Sequence, residues 1–244
     1  MKRLTKKRGQ DIDLFLHNAP RIAGVIAGGL SVASVKKAAR LGADLIEVRV
    51  DALVNRDPAR LIERFKEIKA DAVASRVPIL LTVRSVKEGG RLPLTDGERL
   101  ALFTTLMPFA DLVDIELSSH RLLKDVLKSA KKSGTRLIVS YHNFVSTPGH
   151  AALSRIIKKG REAGAQYVKI AAVANDRATL KRLAGLLTTE DRLIVIAMGD
   201  YGRPSRIFFP LLGSALTYGS IADSTAPGQM TVDEIKKSWK LIGL

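Results

Sequence analysis

Five side chains capable of chemistry recur at one parity in four short apolar runs of this sequence. Glu47 and Arg49 alternate with Ile46, Val48 and Val50, while Thr82 and Arg84 oppose Ile79, Leu81 and Val83. Ser140 and His142 oppose Leu137, Val139 and Tyr141, and Lys169 stands between Val168 and Ile170. Successive side chains of an extended strand point to opposite faces, so each run gathers its polar series on one face. Asp114 and Glu116 hold the matching positions of a further run. A lone lysine or histidine in such a run is usually a paired structural group. Five of one parity in four runs call for a common interior.

A lysine in an apolar, electropositive cavity is disfavoured in its charged form, and the free amine attacks a carbonyl to give an imine. The protonated imine draws electrons from the adjacent carbon and acidifies its proton. A histidine can take that proton and later return one to a leaving group. Arginines offer planar forks to a substrate carboxylate. Lys169, His142, a carboxylate and the arginines therefore suit imine-based carbon-acid chemistry on an anionic substrate. Other chemistries lack their residues. There is no cysteine, the four histidines show no His-x-x-x-His spacing, and no Walker loop or Gly-x-Gly-x-x-Gly string follows a strand-like run. No metal and no cofactor is expected.

The elements that must position these groups alternate along the chain. Strand-like runs fall at 22–28, 44–50, 78–84, 112–117, 136–142, 167–173, 193–198 and 215–220. Between them lie helical patterns, among them 31–42, 58–70, 121–134 and 150–164. Gly42, Gly134 and Gly164 close three of these, as a left-handed C-terminal cap prefers. A last helix over 231–243 opens with Thr231 and Glu234 in capping-box spacing. Eight evenly spaced β-α units fit a closed α/β (β/α)8 TIM barrel better than an open doubly wound sheet. The expected organisation is a single barrel catalytic domain over 21–244, with 1–20 as a basic N-terminal arm or first elements. Arg84 and His142 sit at the C-terminal ends of their strands, where barrel enzymes carry their sites.

The net charge of +16 makes nucleic acid the first partner to weigh. The lysines are spread along predicted helices, however, and only Lys2 to Arg8 form a tight run. Aromatic residues, at 5%, are too sparse for a base-stacking platform. A general positive field favouring a small anionic substrate fits as well. No apolar run approaches the ~18 residues of a membrane span, and the short, interrupted apolar stretch after the basic start is not a signal peptide. Cytoplasmic location is the default expectation.

Several strings, in order, carry a resemblance. EVRVD (47–51), TVRSVKEGG (82–90), SYHNF (140–144), VKIA (168–171), SRIFF with GSALTYGS (205–220) and APGQ (226–229) resemble type I 3-dehydroquinate dehydratase. The resemblance covers the chain from about residue 21 to the end. It implies a TIM barrel that dehydrates 3-dehydroquinate to 3-dehydroshikimate in the shikimate pathway, without a cofactor and as a homodimer. It makes Lys169 the imine-forming lysine, His142 the general acid/base, and Glu88 the group that orients His142 and sets its tautomer. Glu47, Arg49 and Arg84 would line the pocket and hold substrate hydroxyls, and Arg206 would clamp the carboxylate. Gln229 and Thr225 would come from a loop over the substrate, with Met198 in apolar contact near the imine. Nucleic acid and membrane recede as partners.

Two positions depart from the family's pattern. Thr225 replaces the usual serine of the loop and keeps its hydroxyl, and Tyr218 stands where a phenylalanine is often found, adding a polar tip near the substrate. A class I aldolase on the same fold would use a lysine similarly, but it usually needs a Gly-rich phosphate cradle late in the barrel. Arg206 and APGQ occupy that region here.

Overall fold

The computed structural model describes residues 20–54, 57–222 and 228–244. The basic run from Lys2 to Arg8 and the predicted contact Thr225 lie outside the described residues. Eight parallel strands alternate with helices: β1 Ile22–Gly28, β2 Leu45–Leu53, β3 Ile79–Thr82, β4 Leu112–Glu116, β5 Arg136–Asn143, β6 Tyr167–Val173, β7 Leu193–Met198 and β8 Thr217–Ser220. The sheet runs in the order β7-β6-β5-β4-β3-β2-β1-β8. The backbone N–H of Ala215, just before β8, donates to the Leu193 carbonyl at 2.8 Å and brings the two ends of the sheet together. The result is the expected barrel. A short β9, Met230–Thr231, pairs with the outer end of β8.

The helices are α1 Val32–Arg40, α2 Pro58–Ser75, α3 Asp96–Leu106, α4 His120–Ser133, α5 His150–Glu162, α6 Arg177–Thr189, α7 Gly202–Phe208 and α8 Val232–Leu241. Gly42, Gly134 and Gly164 take φ of 88°, 72° and 88°, a region open to glycine at little cost. At the start of α8 the Thr231 hydroxyl accepts the Glu234 N–H at 3.1 Å, and the Glu234 carboxylate accepts the Thr231 N–H at 2.7 Å. Among the described residues no helix is long and apolar enough to cross a membrane.

The apolar parity of the strands faces outward. Ile46, Val48, Val50, Ile79, Leu81, Val83 and Val139 pack with Phe65, Ile68, Phe103 and Val126 of the helices. Each such buried side chain contributes about 1.5–3 kcal/mol, so this layer carries a large share of the fold's stabilisation. The interior has an apolar floor of Leu45, Leu80, Leu112, Ile138, Tyr167 and Leu216. Charged residues sit above that floor.

One boundary differs in a way that bears on the site. The third strand, expected over 78–84, ends at Thr82. Arg84 turns out of the ladder, and its N–H donates at 3.1 Å to the Asp51 carboxylate instead of to a neighbouring strand. This departure lets the chain turn into the short 3-10 helix Val86–Glu88.

Candidate active site

The C-terminal ends of the strands surround one cavity. Glu47, Arg49, Arg84, Glu88, His142, Lys169, Met198, Arg206 and Gln229 all line it, which brings together every predicted site residue that the structure describes. β2, β5 and β6 supply Glu47, Arg49, His142 and Lys169 by the two-residue period of their inward faces. Glu88 comes from the 3-10 turn, and Gly90 is what allows that turn to fold back. A Cβ at Gly90 would lie 2.2 Å from the Arg84 carbonyl oxygen.

Two charged assemblies organise the cavity. In the first, the Asp114 carboxylate accepts the Lys169 ammonium at 3.1 Å, the Arg84 guanidinium at 3.0 Å and the Ser140 hydroxyl at 2.6 Å. Burial alone would raise the Asp114 carboxyl, but Arg84 and Lys169 overcome it and hold it well below the usual carboxylate range. The Lys169 nitrogen also stands 4.1 Å from the centre of the Tyr218 ring. The wall around Lys169 is thus not simply apolar and electropositive: it carries a counter-ion. Arg84 further binds Glu116 at 3.0 Å and Ser140 at 2.8 Å. Arg49 is paired with Asp51 through two hydrogen bonds of 2.9 and 2.8 Å, and Glu47 accepts the Thr82 hydroxyl at 2.8 Å.

The second assembly holds the histidine. Glu88 accepts the backbone N–H of His142 at 2.9 Å and lies 3.0 Å from its ring Nδ1 through the same oxygen, while Ser118 donates its hydroxyl to the other oxygen at 2.5 Å. A carboxylate already accepting two donors is an acceptor for Nδ1–H as well, which leaves Nε2 with its lone pair free. Burial, then the charges of Arg84 and Lys169, push the imidazole well below its ordinary range, so it rests neutral. Burial raises Glu88, against the Ser118 hydroxyl and Arg84.

Arg206 differs from the other two arginines. It is buried, donating to the Tyr218 carbonyl at 3.1 Å and the Gly228 carbonyl at 3.5 Å, with no carboxylate in ion-pair range among the described residues. Burial pulls it down to about 10. A buried cation without an anion beside a cavity is a seat for an anionic ligand. The Tyr218 hydroxyl, also buried, has no hydrogen-bond partner among the described residues, and burial pushes it well above its ordinary range.

A model of the family described as type I 3-dehydroquinase matches residues 31–244. The chain belongs to this family. The 3-dehydroquinate dehydratase of Methanosarcina barkeri is 36% identical over 217 residues, covering 85% of this chain and 88% of that one. The crystal structure of the 3-dehydroquinate dehydratase from Aquifex aeolicus superposes with a TM-score of 0.80 at 34% identity, over 91% of this chain and 99% of that one. A type I 3-dehydroquinate dehydratase from Clostridium difficile, solved with covalent modified comenic acid, has a TM-score of 0.76 at 27% identity, over 91% and 92% of the two chains. The family match contains every predicted site residue.

Several groups that hold the cavity residues or their partners were not among the predicted site residues. Asp51 is the third member of the inward series Glu47, Arg49, Asp51, so the two-residue period could have found it, while Ser140, which that period does place on the face of His142, was given no role. Ser118 and Arg99 gave no such signal. Ser118 sits in the turn after β4, and Arg99 is a helix residue indistinguishable by pattern from a solvent-facing arginine.

Proposed function

We propose that this enzyme dehydrates 3-dehydroquinate to 3-dehydroshikimate through an imine on Lys169, with His142 as general acid and base. The observation that carries the proposal is the convergence of three groups on one cavity of a type I 3-dehydroquinase barrel: the Lys169 nitrogen, the neutral imidazole of His142 and the Arg206 guanidinium, which has no carboxylate in ion-pair range among the described residues.

The substrate is a β-hydroxy ketone with a carboxylate. Arg206 takes the carboxylate through a charge-assisted hydrogen bond. The Lys169 ammonium passes a proton to His142, the freed amine adds to the ketone, and His142 returns that proton to the carbinolamine hydroxyl, which leaves as water, giving a protonated imine. That cation acidifies the proton on the adjacent carbon, and Nε2 of His142, set free by the Glu88 contact to Nδ1, removes it to give an enamine. The enamine expels the β-hydroxyl, which takes the proton back from His142 and departs as water. Hydrolysis of the conjugated imine returns the lysine and releases the enone. Glu47, Arg49 and Arg84 frame the substrate's hydroxyls, Gln229 approaches from the segment before β9, and Met198 packs beside the imine. The covalent modified comenic acid in the Clostridium difficile relative supports covalent chemistry on a small acid in this family. We further propose a cytoplasmic homodimer, whose size light scattering of the purified chain checks.

The test is the conjugated enone absorbance when 3-dehydroquinate is added in the presence of a chelator and without nucleotide. Absorbance growth supports the proposal; its absence from well-folded protein refutes it.

A further inference from the structure

We infer that Arg99, which does not line the cavity, is a positioning residue for the reaction: it anchors the outer end of a chain of alternating charges that ends at the Lys169 amine. The inference rests on the reaction proposed above. Arg99 lies on α3, outside the barrel, yet is only 2% exposed. Its Nη2 meets the Glu116 carboxylate at 2.5 Å. The other Glu116 oxygen accepts Arg84 at 3.0 Å, Arg84 meets Asp114 at 3.0 Å, and Asp114 meets Lys169 at 3.1 Å. Cation, anion, cation, anion, cation follow one another from the helix layer to the reacting nitrogen, with every contact buried.

The same guanidinium fixes the backbone. Nε and Nη2 both donate to the Val83 carbonyl, at 3.1 and 2.8 Å, and Nη1 donates to Ser119 at 2.9 Å. Val83 immediately precedes Arg84, at the place where the chain leaves β3. The Glu116 oxygen that holds Arg84 also accepts the Ser85 N–H at 2.9 Å, and Ser85 opens the turn that carries Glu88 to His142. Both catalytic assemblies therefore hang on the Arg99–Glu116 pair. Without Arg99, Glu116 has only Arg84 to neutralise it, and stronger attraction from that side competes with Asp114 for the same guanidinium. The Lys169 counter-ion and the Glu88 turn loosen together.

A packing role alone would change stability and leave the histidine's titration and the turnover of folded enzyme as they were. A positioning role moves both. Arg99→Met should lower kcat roughly ten- to a hundred-fold, the size of effect expected of a small misplacement of reacting groups, with KM for 3-dehydroquinate changed far less. Arg99→Lys keeps the charge but has three donors and no planar fork in place of the four bonds to Val83, Glu116 and Ser119, so its kcat should fall between those of wild type and the methionine variant. If the methionine variant does not fold, the lysine variant decides. The second readout needs no substrate: in the ligand-free protein, the ring-proton NMR titration of His142 should shift in the variants. Wild-type protein that fails to dehydrate 3-dehydroquinate would refute the proposed reaction, and the titration would still decide the role of Arg99. A folded Arg99→Lys enzyme with wild-type kcat and an unchanged His142 titration overturns the inference.

Discussion

Replacing Arg206 with methionine tests the carboxylate clamp, because the structure fixes the effect from two sides. Burial pulls the guanidinium down to about 10, which corresponds to about 3 kcal/mol of penalty for holding the charge there. A substrate carboxylate relieves that penalty, and a charge-assisted hydrogen bond contributes about 1.5–3 kcal/mol to binding. Arg206→Met should therefore raise KM roughly ten- to a hundred-fold. The free protein should be no less stable than wild type, since the methionine fills the stem's volume and removes a buried cation that has no carboxylate in ion-pair range among the described residues. Two assays read this together: KM from enone absorbance, and melting temperature with and without substrate. Wild type should melt higher with substrate, and the variant should lose most of that rise. A KM within about twofold of wild type, or a free variant several degrees less stable, would show that Arg206 is a structural tie to Tyr218 and Gly228 and that the carboxylate binds elsewhere.

His142→Ala should nearly abolish turnover while leaving imine formation intact, whereas Glu88→Gln should be milder and shift the pH profile of kcat, because it orients the base without replacing it. Equal damage from the two substitutions, measured by steady-state kinetics, would make Glu88 a direct participant. The pH dependence of stability has a definite sign. His142 and Asp114 are both depressed in the folded state, so the unfolded chain binds the extra protons and stability falls as pH drops, through His142 below its ordinary 6.5 and through Asp114 below 3.8. Glu88, raised by burial, works in the opposite sense just above its ordinary 4.5. Melting curves of His142→Ala should lose much of the decline between about pH 7 and 5.5; an identical decline would show that His142 is not held neutral.

The strands and their inward parity were legible because the pattern is local: a two-residue period in Glu47-Val48-Arg49 or Lys169-Ile170 says which face each side chain takes. The cap at Thr231 and the glycine helix ends follow from nearest neighbours in the same way. What the pattern does not hold is apposition. Asp114 reads as one more inward acid until β4, β5 and β6 lie side by side and set it between Arg84 and Lys169. Arg84 reads as a strand residue until the Asp51 carboxylate on β2 takes its N–H. Ser118 and Arg99 matter only through the oxygens they meet on Glu88 and Glu116, and those partners lie 30 and 17 residues away in sequence.

Imine formation on Lys169 is a covalent step, and borohydride tests it directly. An imine is reversible, but its reduction leaves a stable amine, so incubation with 3-dehydroquinate and borohydride should raise the mass of the chain by one reduced ligand. Peptide mapping should place that mass on Lys169 alone, with the exposed lysines of α4 and α5 as unmodified internal controls. Lys169→Met should abolish both adduct and dehydration while the protein still folds. An adduct on another lysine, or a Lys169→Met variant that still forms the enone, would contradict the mechanism.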